Sequence, residues 1–155
     1  LDFDEDGRLW ATEHGRSGVL SGMDELNLIE KGKNYGWPRI EGDETLEGMV
    51  SPSAHSGADE TWAPAGAVYL NGSIFFTGLR GESLYEAMIT AEGKVSDIIA
   101  HFHGDFGRLR AIQVGPDGFI YISTSNTDGR GDIREEDDKI VKIDPQLFVR
   151  KTNNI

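Results

Sequence analysis

One six-residue pattern occurs three times in this chain, and it constrains the fold more than any other feature. Gly7-Arg8-Leu9-Trp10-Ala11-Thr12 matches Gly72-Ser73-Ile74-Phe75-Phe76-Thr77, and both match Gly118-Phe119-Ile120-Tyr121-Ile122-Ser123. The shared rule is Gly, any residue, Leu or Ile, an aromatic, any residue, Thr or Ser. A turn glycine feeds a strand whose alternate side chains face opposite sides. Each copy follows a short apolar segment (1–3, 66–70, 109–114) and precedes another (25–29, 83–89, 139–143), while 95–102 adds a fourth to the middle unit. Helical periodicity is scarce, and Gly, Asp and Asn punctuate the alternations, so the chain reads as all-β. A repeated unit of three to four antiparallel strands is a β-propeller blade. A sandwich would not require the unit to repeat.

The repeat predicts a partial propeller of about three four-stranded blades, over residues 1–62, 63–106 and 107–155. The copies stand 65 and then 46 residues apart, and the excess lies in 31–62, a stretch rich in Gly, Ser, Glu and Pro. Loops of this length are commonly functional or disordered. Three blades do not close a ring, and open blades leave unpaired sheet edges. The expectation is a part of a larger ring whose upstream blades are missing here, or a homodimer of half-rings. The opening Leu1-Asp2-Phe3-Asp4-Glu5-Asp6-Gly7 lacks Met, a basic region and an apolar signal stretch. It reads as a strand and turn of a processed chain or of a piece of something longer.

Composition narrows the partners. Among 155 residues there are 27 Asp and Glu against 15 Lys and Arg, a net charge of -12. That excess argues against a broad phosphate-binding face, hence against nucleic acid. No apolar run approaches the roughly 20 residues of a membrane-spanning helix. The absence of cysteine excludes disulfides and thiolate metal sites. The acids are uneven: residues 1–60 carry 14 of them against 5 bases, and 61–155 carry 13 against 10. Cations are the natural partners of the first part.

Several motifs invite chemistry. Asp2, Asp4, Asp6, Gly7 and Glu13 satisfy the EF-hand spacing, but such a loop needs a helix on each side, so a hairpin is the preferred reading. Arg130-Gly131-Asp132 is an adhesion tripeptide in a Gly/Asp-rich turn, where coincidence is common. Asp128 and Asp132 read as solvated turn acids rather than as a cation site. From Glu13-His14-Gly15 to Met23-Asp24-Glu25, a strand, a Gly/Ser loop and an acid pair offer the carbonyls and carboxylates that Ca2+ prefers. His14 alone reads as a hydrogen-bonded structural histidine. Arg80, Arg108 and Arg110 occupy comparable places in the second and third units. Arg108 and Arg110, two apart, fall on one side of a strand. Like charges there are costly unless an anion lies between them. A polycarboxylate or phosphate ligand and ion pairs with the chain's own acids both meet that need.

The segments LDFDEDGRLWATEHG, DELNLIEKGKNYGWP, WAPAGAVYLNG, GRLRAIQVGPDGFIYISTSNTDGRGD and DDKIVKIDP span nearly the whole chain. In this order the sequence resembles the soluble quinoprotein glucose/sorbosone dehydrogenases, specifically the aldose sugar dehydrogenases that use pyrroloquinoline quinone (PQQ). The resemblance implies the C-terminal half of a six-bladed propeller with PQQ and Ca2+ on top. It implies oxidation of aldose sugars at C1 to lactones, an external electron acceptor, and a periplasmic or secreted location. It assigns the carbonyls of Gly15 and Arg16 to the Ca2+ that sits on PQQ; the family often has Pro at the second position. Glu25, Tyr35 and Asp24 would hold a second, structural Ca2+. Arg108 and Arg110 match the Arg-x-Arg that contacts PQQ, and Arg80 matches a further basic residue that does likewise. Ala63-Pro64-Ala65-Gly66 resembles an Ala-Pro-Ser-Gly segment near the sugar site. The family's histidine base lies ahead of the matching region, and none of His14, His55, His101 or His103 falls on its motif. No catalytic residue is therefore assigned in this chain, and the segment by itself is expected to be inactive. Two other readings stay open: a non-catalytic propeller binding module, and a Ca2+-dependent propeller lactonase, which would need an acid-rich central metal site and no Arg-x-Arg.

Overall fold

A computed structural model describes residues 1–18 and 22–149. Among the described residues eleven strands form three antiparallel sheets. The first sheet holds β1 (Asp2–Phe3), β2 (Leu9–Glu13), β3 (Glu25–Ile29) and β4 (Ala54–His55), in sequence order. The second holds β5 (Pro64–Leu70), β6 (Ser73–Gly78), β7 (Leu84–Ile89) and β8 (Val95–His101), again in order. The third holds β9 (Leu109–Val114), β10 (Ile120–Thr124) and β11 (Ile140–Ile143), and a short 3-10 helix follows at Pro145–Phe148. These meanders are propeller blades packed face to face. Among the described residues no helix is long and apolar enough to cross a membrane.

Each copy of the repeat is the second strand of its sheet. Its glycine sits in the preceding turn with a left-handed backbone, at φ 76° for Gly7, 83° for Gly72 and 79° for Gly118. Side chains avoid that region, so glycine is what the turn requires there. The strand that follows alternates its faces. In β6, Ile74 and Phe76 point into a core with Trp10, Leu26, Trp62, Tyr85 and Ala87 of the first two blades. Phe75, between them, points the other way, into a core with Val68, Leu84, Leu109, Ile112, Ile120, Ile122 and Ile143. The middle blade is therefore buried on both faces, and every residue of β6 is buried. In β10 only alternate residues are buried, as expected of a sheet covered on one side. Each fully buried Leu, Ile or Phe contributes about 1.5–3 kcal/mol of apolar transfer.

The closing Thr of the repeat links blades. Thr12 Oγ1 donates to the Ala65 carbonyl at 3.2 Å, and Thr77 Oγ1 donates to the Arg110 carbonyl at 2.6 Å. In both cases the second strand of one sheet is tied to the first strand of the next.

Two expectations change. The long 31–62 stretch is not simply an excess loop, because it carries β4, which pairs with Glu25 and Leu26 and gives the first blade its fourth strand. The third sheet has three strands among the described residues rather than four; positions 150–155 of the last blade lie outside them. The Asp2–Glu13 segment is a hairpin, with Asp2 opposite Trp10. The EF-hand spacing is spent on it: buried Asp4 accepts from Arg8 Nε at 2.7 Å, Trp10 Nε1 at 2.9 Å and two backbone amides.

Candidate functional site

The loops after β2, before β3, after β6, before β9 and after β10 converge on a cleft of about 380 Å3. Its walls carry His14, Gly15, Arg16, Asp24, Ala63, Arg80, Arg108 and Arg130. Gly15 permits the close approach of two segments, since a Cβ there would collide with the carbonyls of Gly22 and Met23. Its N–H donates to Asp24 Oδ1 at 3.0 Å, and Arg16 N–H donates to the Gly22 carbonyl at 3.0 Å. The Arg16 guanidinium turns to Glu41, with Nε 2.7 Å from Oε2; a guanidinium has no acceptor for a metal, so only the backbone carbonyl of Arg16 could serve one.

Asp24 is a clamp. It is 2% exposed, and its Oδ2 accepts from Thr61 Oγ1 and from the N–H groups of Trp62 and Ala63 at 2.7–2.9 Å. This holds Ala63, at the cleft wall, in a positive-φ conformation of 43° that a non-glycine residue adopts only under such constraint. Both Asp24 oxygens accept from the protein, Oδ1 from Gly15 N–H and Oδ2 from the 61–63 segment.

Arg108 precedes β9 and is 7% exposed. Its Nη1 donates to the Leu79 carbonyl at 3.3 Å and its Nη2 to Asp128 Oδ2 at 3.1 Å, while its buried Nε has no partner. Arg110 donates through Nε to Ser125 Oγ at 2.9 Å and through Nη2 to the same Asp128 Oδ2 at 3.0 Å. It is half exposed and absent from the cleft wall. The anion between the two arginines is thus Asp128 itself. Desolvation works to raise the pKa of its carboxyl, but the hydrogen bonds from Arg130 N–H, Arg108 and Ser125 outweigh it and hold the group below the ordinary aspartate value. Asp128 is therefore no solvated turn acid.

A second, narrower cleft adjoins the first. Glu13, His14, Gly15, Glu25, Tyr35 and Glu41 line a space of about 10 Å3, room for about one water or ion. Glu25 is buried and accepts from Gly42 N–H at 3.2 Å and Asn27 Nδ2 at 3.3 Å; the same Nδ2 lies 3.4 Å from Glu13 Oε2. Partial desolvation, and then the Glu25 charge, push the Glu13 carboxyl above the ordinary glutamate value. Asn27 Oδ1 is buried without a partner. Tyr35 lines the same space, and its hydroxyl donates to the Leu28 carbonyl and accepts from Glu30 N–H, both at 2.7 Å. The Glu13 and Glu25 carboxylates on this wall are hard ligands of the kind Ca2+ takes. Among the described residues no three His, Asp or Glu side chains converge as a metal centre, so a cation here would draw on backbone carbonyls as well.

The histidines divide. His55 pairs with Asp43, His101 with Glu86, and His103 Nδ1 lies 3.0 Å from Ser83 Oγ. His14 differs from the structural reading: it is exposed on the walls of both clefts. Sequence reasoning missed Asn27, Glu41, Asp128 as an arginine partner, and a place for Arg130 in the cleft. Only the Gly/Asp turn at 128–132 signalled that a loop lies there.

A blade stack with a cation-rich cleft at its loop end is the architecture of a ligand-binding propeller. The glucose/sorbosone dehydrogenase family model matches residues 1–135, and the chain belongs to that family. It is similar to the PQQ-bound form of aldose sugar dehydrogenase from Streptomyces coelicolor, at 38% identity and a TM-score of 0.80, over 91% of this chain and 41% of that one. A putative oxidoreductase (glucose dehydrogenase) from Thermus thermophilus is similar at 36% identity and a TM-score of 0.83, over 91% and 43%. The aldose sugar dehydrogenase YliI of Escherichia coli K12 is 28% identical over 78% of this chain and 36% of its own length. The chain spans about a third of the curated relatives it matches.

Proposed function

We propose that this segment forms the C-terminal half of a six-bladed quinoprotein that oxidises aldose sugars at C1 to lactones and passes the electrons to an external acceptor. The observation that carries the reading is buried Arg108, whose unpartnered Nε belongs to a guanidinium on the wall of a cleft shared with Arg16, Arg80 and Arg130. In a chain of net charge -12, arginines gathered in one cleft point to an anionic ligand, and PQQ, an orthoquinone with three carboxylates, fits. When bound, PQQ supplies the hydride acceptor and Ca2+ the Lewis acid at its quinone carbonyl.

Arg108 and Arg80 hold carboxylates of the cofactor by charge-assisted bonds, and Arg110 holds Asp128 against Arg108. The carbonyls of Gly15 and Arg16, on the segment that Asp24 holds through Gly15 N–H, would bind a Ca2+. Glu25 and Tyr35 would hold a second cation beside Glu13. Ala63, held by Asp24, shapes the wall where sugar enters. The proton acceptor comes from the other half of the ring, so the 155-residue segment alone does not turn over sugar. A periplasmic or secreted location belongs to the same reading and rests on the family resemblance.

Reconstitution tests it. The full-length protein, freed of PQQ and metal by chelation, should not reduce a dye with an aldose, and should do so once PQQ and Ca2+ are restored. Full activity in the chelated, PQQ-free sample would overturn the quinoprotein reading. PQQ binding without any dye reduction would favour a non-catalytic propeller module.

A further inference from the structure

We propose that Arg130 is a carboxylate-binding residue of the cation cleft, a role that composition and spacing did not signal; the inference rests on the quinoprotein reading for its ligand. Arg130 lines the cleft together with Arg108 and Arg80. Its guanidinium makes no hydrogen bond or ion pair with a described residue, whereas Arg16 is engaged by Glu41 and Arg108 by Asp128. The one carboxylate on the cleft wall, Asp24, is held through both oxygens by protein donors and makes no ion pair with Arg130.

The turn that presents Arg130 is fixed by the same residue that organises the two neighbouring arginines. Asp128 Oδ1 accepts from Arg130 N–H at 3.0 Å while Oδ2 accepts from Arg108 and Arg110. Gly131, next in the chain, packs so closely that an added Cβ would lie 2.6 Å from Arg108 Cδ. A single carboxylate thus pins the Arg130 backbone and the Arg108 side chain together. Arg110 is tied to Ser125 and Asp128 off the cleft wall. Arg130, with its fork of donors uncommitted, is the guanidinium placed to receive an incoming carboxylate in bidentate fashion.

The test is binding, measured without turnover. PQQ is titrated into the PQQ-free full-length protein at saturating Ca2+, following PQQ absorbance, for the native protein, Arg130→Gln and Arg130→Lys. The expected result is about tenfold weaker binding for Arg130→Gln, partial recovery in Arg130→Lys, and unchanged melting curves because the side chain supports no other group. Equal affinity in the native protein and Arg130→Gln would overturn the assignment. Trimesate, a plain aromatic tricarboxylate, separates this inference from the quinoprotein reading. If PQQ fails to bind the native protein while trimesate binds in an Arg130-dependent way, the quinoprotein reading falls and the role of Arg130 stands. If neither binds, both fall.

Discussion

Asp24 and Arg108 illustrate how far a single residue's role departs from its sequence context. Asp24 was legible as an acid at the start of a strand and as a cation ligand by family resemblance. Its packing against Thr61, Trp62 and Ala63, some 37–39 residues away, is set by tertiary structure that no local pattern encodes. We predict that Asp24→Asn destabilises the protein by about 2 kcal/mol, since an amide would turn N–H groups toward donors now bound to a carboxylate. Thermal denaturation followed by circular dichroism checks this; an unchanged midpoint would remove Asp24 from its role as clamp. The Arg108/Arg110 spacing did predict an anion between them. It did not reveal that the chain supplies that anion itself at Asp128, because the partner lies across the blade, beyond the end of β10.

At the level of elements the repeat was highly informative. It placed β2, β6 and β10 within one or two residues, because turn glycine and alternating burial are local rules. It could not reveal β4, a two-residue strand with no periodicity of its own, defined only by its pairing with β3. The closing Thr of the repeat acquires a reason from the structure. Thr77 Oγ1 accepts from Gly66 N–H at 3.0 Å and donates to the Arg110 carbonyl at 2.6 Å, joining β6, β5 and β9. Thr77→Val should cost about 1–3 kcal/mol by leaving the Gly66 N–H and the Arg110 carbonyl without this partner, read as a lowered denaturant midpoint. The β10–β11 pair carries a pH signature. Lys142 foremost, then Tyr121, hold the Asp117 carboxyl at about 2, below the ordinary aspartate value of 3.8. A depressed folded pKa stabilises above the unfolded value and is lost as pH falls through the folded one. Asp117→Asn should therefore flatten the melting-temperature profile between pH 3.8 and about 2. A profile identical to the native one would show that the pair contributes nothing there.

The whole molecule is a stack in which the middle blade is covered on both faces and its neighbours on one. That arrangement explains why the acidic N-terminal part and the arginines of the later blades, far apart in sequence, meet at one end. The charge distribution anticipated the meeting only in outline: cation ligands early, cations late. The cleft brings together residues 14–18, Asp24, Thr61, Ala63, Leu79, Arg80, Arg108 and Arg130, and only the stacking of blades makes them neighbours. The exposed Leu1 and Phe3 on the first sheet and Ile140 on the third lie on the flanking blades, the ones that a larger ring would cover. Binding of an anionic quinone cofactor in this cleft through buried Arg108 is tested most directly by PQQ titration of the full-length protein and its Arg108→Ala variant, with circular dichroism to verify folding. Binding should weaken at least about tenfold in the folded variant; equal affinity would mean that Arg108 serves only its pairing with Asp128, and would contradict a cofactor role for it.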